Sequence, residues 1–249
     1  MEELKVSPSE LKELVDNSKL VGEGSLGRLY EYQDRVIKLD RILANLLEIN
    51  DKIFADEIVN DYYKYKSGFN REKIEDLVSR QNKITLTKLP TGIITLKDVN
   101  SKIMSISPGI IIPYHKNHLK LETLSKKDYK RILIILRRVL NAARELAANE
   151  IAQEDFIQYD SNGMVPIGYN IMYKNNTPQI IDLDDEVLTR VGKDFEGASE
   201  MYRDLGNIVL DYFKFNGLDI PVPRDSVSTD YEIERLLDIF EKETKHKKI

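Results

Sequence analysis

Three glycines, Gly22, Gly24 and Gly27, and a lysine, Lys38, are the first residues whose types and spacing could do chemistry. A glycine-rich turn lets backbone N–H groups approach an anionic oxygen closely, because no Cβ intervenes. A lysine nearby adds a mobile point charge of the kind that binds phosphate. The residues after the glycines decide more than the glycines themselves. In a dinucleotide-binding unit the glycines open a helix, whereas here they run into Leu29-Tyr30-Glu31-Tyr32, Gln33-Asp34-Arg35 and Val36-Ile37-Lys38-Leu39. That reads as strand, turn, strand. Period-two alternation puts Val36 and Lys38 on one face of the second strand, and Ile37 and Leu39 on the other. Two readings of the pattern stay open at this point: a hairpin laid over phosphates, and an ordinary glycine-containing hairpin.

The chain here resembles the protein kinase family, whose G-x-G-x-x-G-x-V and V-A-I-K segments are matched by Gly22, Gly24, Gly27, Leu29 in place of valine, and Val36-Ile37-Lys38. The resemblance implies an α+β, bilobal protein-kinase-like fold. Its small amino-terminal lobe, an antiparallel sheet plus helix, would cover residues 1–114, and its larger, mainly helical lobe residues 115–249. ATP and Mg²⁺ would bind between them. Gly22, Gly24, Ser25, Gly27, Leu29, Val36 and Lys38 would line the nucleotide site. Ile110 to His115 would form the link that reads adenine, with Tyr114 or His115 as donor because Pro113 has no N–H. Glu57, nineteen residues beyond Lys38, would pair with it and aim its ammonium, with Glu48 as the alternative.

The second half offers the hard oxygen ligands that phosphoryl transfer needs. Gly168 to Tyr173 reads as loop into strand, Lys174 to Pro178 as turn, and Gln179 to Asp184 as the returning strand and its end. Asn170 and Asp182 thus sit at the two ends of one hairpin, where both can reach one Mg²⁺. By resemblance Asn170 is the catalytic-loop asparagine, and Asp182-Leu183-Asp184 stands where D-F-G would be. The residue five before Asn170 is Val165, which can accept no proton. Gln153-Glu154-Asp155 resembles H-R-D instead, which makes Asp155 the base and requires an insertion of ten residues, since it lies fifteen before Asn170. Asp160 is a second candidate. A third reading has no base and makes the protein a pseudokinase, a nucleotide-binding or protein-interaction module. Asp204, in Asp204-Leu205-Gly206, resembles the helix aspartate that braces the catalytic loop. It lies only twenty-two residues after Asp182, with no A-P-E between, which leaves a short activation segment.

The secondary structure around these residues is read from pattern. Ser7-Pro8-Ser9-Glu10 starts a short helix carrying Leu11, Leu14 and Val15. Helical spacing of apolar residues runs from Ile42 to Tyr62, and again over 71–80. Strands are expected at Ile84–Leu89, Ile93–Leu96, Ile103–Ile106 and Gly109–Pro113. From Ser125 a wide apolar stripe, Ile132 to Ala147, marks a long helix. The Lys242–Lys248 run reads as a solvated helix end.

Composition bounds the function. A net charge of −5 over 249 residues argues against a nucleic-acid surface. With no cysteine, thiol nucleophiles, disulfides and thiolate metal sites are excluded. Three histidines make a histidine metal site unexpected. There is no apolar run of membrane-spanning length and no signal-peptide pattern, so a cytoplasmic protein is expected. The phosphate acceptor is expected to be a protein hydroxyl, with a small metabolite as the alternative.

Overall fold

The computed structural model describes residues 1–24, 27–50, 57, 62, 68–97, 105–124, 128–153, 170–183, 188–189, 197–218 and 220–246. The chain divides into two compact units, Met1–Gln81 with Leu89–His115, and Asn82–Lys88 with Lys116–Ile249.

The first unit is built on a six-stranded sheet. Its elements are β1 (Glu2–Val6), α1 (Pro8–Asn17), β2 (Lys19–Glu23), β3 (Gly27–Tyr32), β4 (Arg35–Asp40), α2 (Arg41–Ile49), β5 (Phe69–Asn70), α3 (Arg71–Arg80), β6 (Gly92–Leu96), β7 (Ile106–Ser107) and β8 (Gly109–Pro113). The strand order is β1-β6-β8-β4-β3-β2. β1 runs parallel to β6, so the sheet is mixed rather than antiparallel as expected. The connection from β1 passes through α1 and most of the unit, the long crossover that a parallel pair requires.

Ser7 caps α1 in a capping box: its hydroxyl accepts from Glu10 N at 3.2 Å, and Glu10 Oε2 accepts from Ser7 N at 2.6 Å. Asp40 ends β4 and caps α2 at once, accepting from Ile42 N at 2.9 Å and Leu43 N at 3.2 Å. Leu11 and Val15 of α1, Leu43 and Leu47 of α2, and Tyr30, Ile37, Leu39 and Ile94 of the sheet form one buried cluster. Burying Ile37 and Leu39 stabilises the fold by roughly 3–6 kcal/mol together. A one-residue slip of β4 would forfeit that and turn Lys38 inward, so core packing fixes which way Lys38 faces.

The second unit comprises β9 (Leu119–Lys120), α4 (Tyr129–Ala148), β10 (Ile151–Ala152), β11 (Ile171–Lys174), β12 (Thr177–Ile180), β13 (Leu188–Thr189), α5 (Gly197–Phe215) and α6 (Asp230–His246). β9, β11 and β12 form one small antiparallel sheet, and β10 pairs with β13. Asp128 caps α4, whose buried stripe runs from Ile132 to Leu146. α6 is held to α4 by ion pairs from Arg137 to Asp238 (2.6 Å) and Glu241 (3.0 Å), and from Arg144 to Asp230 (2.7 Å) and Glu234 (2.6 Å). Phe213 of α5 meets Phe240 of α6 edge to face at 4.8 Å.

The strand expected at Ile84–Leu89 is not one. The segment is irregular, and several of its hydrogen bonds go to groups of this second unit. The Glu145 carboxylate accepts from Thr85 N (2.9 Å), Thr85 Oγ1 (2.6 Å) and Leu86 N (2.7 Å), and the Thr87 hydroxyl donates to Ile180 O at 3.0 Å. The strand expected at Ile103–Ile106 falls partly outside the described residues, and Ile106 opens β7. Among the described residues no helix is long and apolar enough to cross a membrane.

Candidate functional site

In the first unit, cross-strand register gathers the residues singled out by sequence. Gly22 pairs with Leu29, Leu29 with Lys38, and Lys38 with Ile110, forming one row across β2, β3, β4 and β8. The next row on that face holds Glu31, Val36 and Ile112. Directly opposed residues share a face, so Gly22, Leu29, Val36 and Lys38 lie together, opposite the face that carries Tyr30, Ile37 and Leu39. Tyr114 comes just after β8 and is half-buried, its hydroxyl 3.5 Å from Glu31.

Lys38 is 5% exposed and Val36 4%. The turn between β2 and β3 is closed by Gly24 N donating to Gly27 O at 2.9 Å. Ser25 lies outside the described residues. Gly27 is obligatory for packing: a Cβ there would stand 2.7 Å from Leu39 O, 3.0 Å from Lys38 Cγ and 3.2 Å from Lys38 Cε. The third glycine of the motif therefore makes room for the lysine stem. The Lys38 ammonium lies 5.8 Å from the centre of the Phe69 ring.

Of the two carboxylates expected as partners of Lys38, Glu48 is engaged by other residues. Glu57 is helical and exposed. Glu48 accepts from the Tyr30 hydroxyl at 2.6 Å and is ion-paired with Arg28. Burial opposes the Glu48 charge, but the bonds from Tyr30 and Arg28 outweigh it and hold the carboxyl below its usual range.

In the second unit, β11 and β12 form the expected hairpin, with Ile171 opposite Ile180. One step beyond, Ile181 N donates to Asn170 O at 3.0 Å, which brings Asn170 and the Asp182 segment to the same open end. Asn170 is 2% exposed, Asp182 is exposed and Leu183 is buried. Asp182 has φ 62°, a left-handed conformation that Asp adopts more readily than most residues but still at a cost. Gln153 braces the backbone there. This side chain, 4% exposed at the end of β10, donates from Nε2 to Ile181 O at 3.1 Å and to Asp182 O at 2.9 Å. Asp155 and Asp160, the base candidates, lie outside the described residues, as does Asp184.

Asp204 is half-buried on α5. Its neighbours have a structural reason to be Gly and Asn. A Cβ at Gly206 would meet Val227 Cγ1 at 2.8 Å, and Asn207 exchanges two hydrogen bonds with Asp225, at 2.7 and 3.0 Å.

Among the described residues no group of three or more His, Cys, Asp or Glu side chains is gathered for a metal. Mg²⁺ does not require one, since it keeps waters and takes one or two protein oxygens together with substrate phosphates. A buried amide and an exposed carboxylate at one hairpin mouth fit that donor set. Sequence reasoning passes over Phe69 and meets Gln153 only as the residue aligned with the histidine of H-R-D, with no role of its own. A glutamine carries no catalytic chemistry of its own, and an aromatic residue reads as core.

No protein-family model matches the chain, and none of the curated proteins matches it significantly.

Proposed function

We propose that the protein is an ATP- and Mg²⁺-dependent phosphotransferase of protein-kinase-like type, with a protein Ser, Thr or Tyr hydroxyl as acceptor. The observation that carries this reading is Lys38, a buried lysine on the strand next but one to a glycine turn, its stem packed on the last glycine of that turn. Lys38 and the backbone of Gly22, Gly24 and Gly27 would bind phosphate oxygens, with Leu29 and Val36 as apolar cover and Tyr114 beside the base. Asn170 and Asp182 would hold Mg²⁺, which neutralises charge developing on the phosphates when bound. Asp155 would accept the proton of the acceptor hydroxyl.

One observation favours a second reading. Val165 occupies the position five before Asn170 where the family carries its base, which suits a pseudokinase that binds nucleotide without transfer. Intact mass after incubation with Mg-ATP separates the two. Whole phosphates gained by the parent, and lost in Lys38→Met, Asp155→Ala and Asp182→Ala, are the expected result. ATP binding that depends on Lys38, without transfer to the protein or to added protein substrates, selects the second reading. Absence of any nucleotide binding sinks both.

A further inference from the structure

A lysine stem has four rotatable bonds, so burying one is not enough to aim its ammonium. Gly27 and Phe69 both bear on where Lys38 goes. Gly27 lies against the methylenes, and the ring of Phe69 stands 5.8 Å from Nζ, within the range over which an aromatic face attracts a cation. Phe69 is 3% exposed and Lys38 5%, so water screens the attraction little.

The placement of Phe69 is itself built. Gly68, immediately before it, has φ 125°, and a Cβ there would fall 2.3 Å from Ile106 Cγ2, 2.6 Å from the Tyr62 hydroxyl and 2.8 Å from Ser107 O. No other residue fits. Phe69 then pairs with Ser107 in the β5–β7 ladder, and Ser107 is anchored by its hydroxyl to Ile94 O at 2.7 Å. Asn70 caps α3, accepting from Lys73 N at 3.1 Å. Phe69 and Ile74, both buried, occupy the positions of a hydrophobic staple around that cap. The ring is therefore fixed by a strand pair on one side and a helix start on the other.

We propose that Phe69 is a positioning residue for Lys38: its ring takes the ammonium and ties the lysine to the first turn of α3, while Gly27 confines the stem. This rests on the reading of Lys38 as the phosphate-binding lysine. A role in the staple alone would be satisfied by any large apolar side chain; a role toward the ammonium requires the π-face.

The test replaces Phe69 by mono-, di- and trifluorophenylalanine, which keep the shape and drain the face. Mg-ATP binding is measured by calorimetry on the full chain, and thermal unfolding is recorded in parallel. The dissociation constant should rise stepwise, reaching roughly 3- to 30-fold for the trifluoro ring, with the unfolding temperature unchanged. Phe69→Leu should weaken binding similarly in the parent and not at all in Lys38→Met. An affinity indifferent to fluorination, or an equal Phe69→Leu penalty in both backgrounds, overturns the proposal and leaves the nucleotide reading standing. If Lys38→Met binds Mg-ATP as tightly as the parent, the nucleotide reading falls and the proposal with it.

Discussion

Replacing Gln153 by methionine keeps the length and most of the volume of the side chain but removes both donors that hold Ile181 and Asp182. Each of the two hydrogen bonds, 3.1 and 2.9 Å from a nearly buried amide, contributes about 0.5–1.5 kcal/mol net. The loss is therefore about 1–3 kcal/mol. At about 2–4 °C per kcal/mol for a chain of this size, the melting temperature should fall by roughly 2–12 °C. Gln153→Glu should be worse at neutral pH, because a carboxylate oxygen replaces the donor and faces two carbonyl oxygens. Melting recorded by circular dichroism, with the Mg²⁺ concentration needed for half-maximal ATP binding measured alongside, reads both consequences. Asp182 stands at φ 62°, so without its clamp it should relax, and on the proposed reading the Mg²⁺ requirement should rise. Variants that melt like the parent, or a methionine variant less stable than the glutamate one, would refute the reasoning.

Two further perturbations test the framework around the site. Gly27→Ala places a methyl 2.7 Å from Leu39 O and against the Lys38 stem, so it should destabilise by about 1–3 kcal/mol in urea titration and weaken Mg-ATP binding. For Glu145, burial opposes the charge, but the Thr85 hydroxyl and the amides of Leu86 and Thr85 outweigh it and hold the carboxyl below its usual range. A depressed folded pKa means a stabilisation fully present above the unfolded carboxylate value, about 4.3, and lost as pH falls through the lower folded value. Glu145→Gln should therefore cost about 1–2 kcal/mol at pH 7, after allowing for solvent screening, and flatten the acid side of the stability profile measured by urea titration.

The parts of the fold that can be read from sequence are those where local pattern and tertiary packing say the same thing. In β3 and β4 the face that carries buried Tyr30, Ile37 and Leu39 packs on the core, and period-two alternation places Lys38 on the opposite face. α1 and α4 announce themselves by Ser7 with Glu10 and by a long apolar stripe. β1 escapes such a reading because its partner, β6, begins some ninety residues later and its own sequence is mostly charged, as an edge strand tolerates. The Ile84–Leu89 segment misleads for the opposite reason. Its apolar residues suggest a strand, yet the amides of Thr85 and Leu86 are satisfied by one carboxylate from a helix sixty residues on.

The candidate site divides in the same way. Gly22, Gly27, Lys38, Asn170 and Asp182 are visible in sequence because their chemistry resides in the residue type: absence of a Cβ, a charge, a hard oxygen. Gln153 and Phe69 act through where they are, an amide reaching two carbonyls nearly thirty residues away and a ring set beside an ammonium by a glycine that no other residue can replace. A charged partner such as Glu57 is the natural choice from sequence because opposite charges are the simplest way to aim a lysine. The fold sets an aromatic face beside the ammonium in addition, 5.8 Å away. Because the ring acts through the ammonium in this proposal, the Lys38→Met and Phe69→Leu penalties should fail to add.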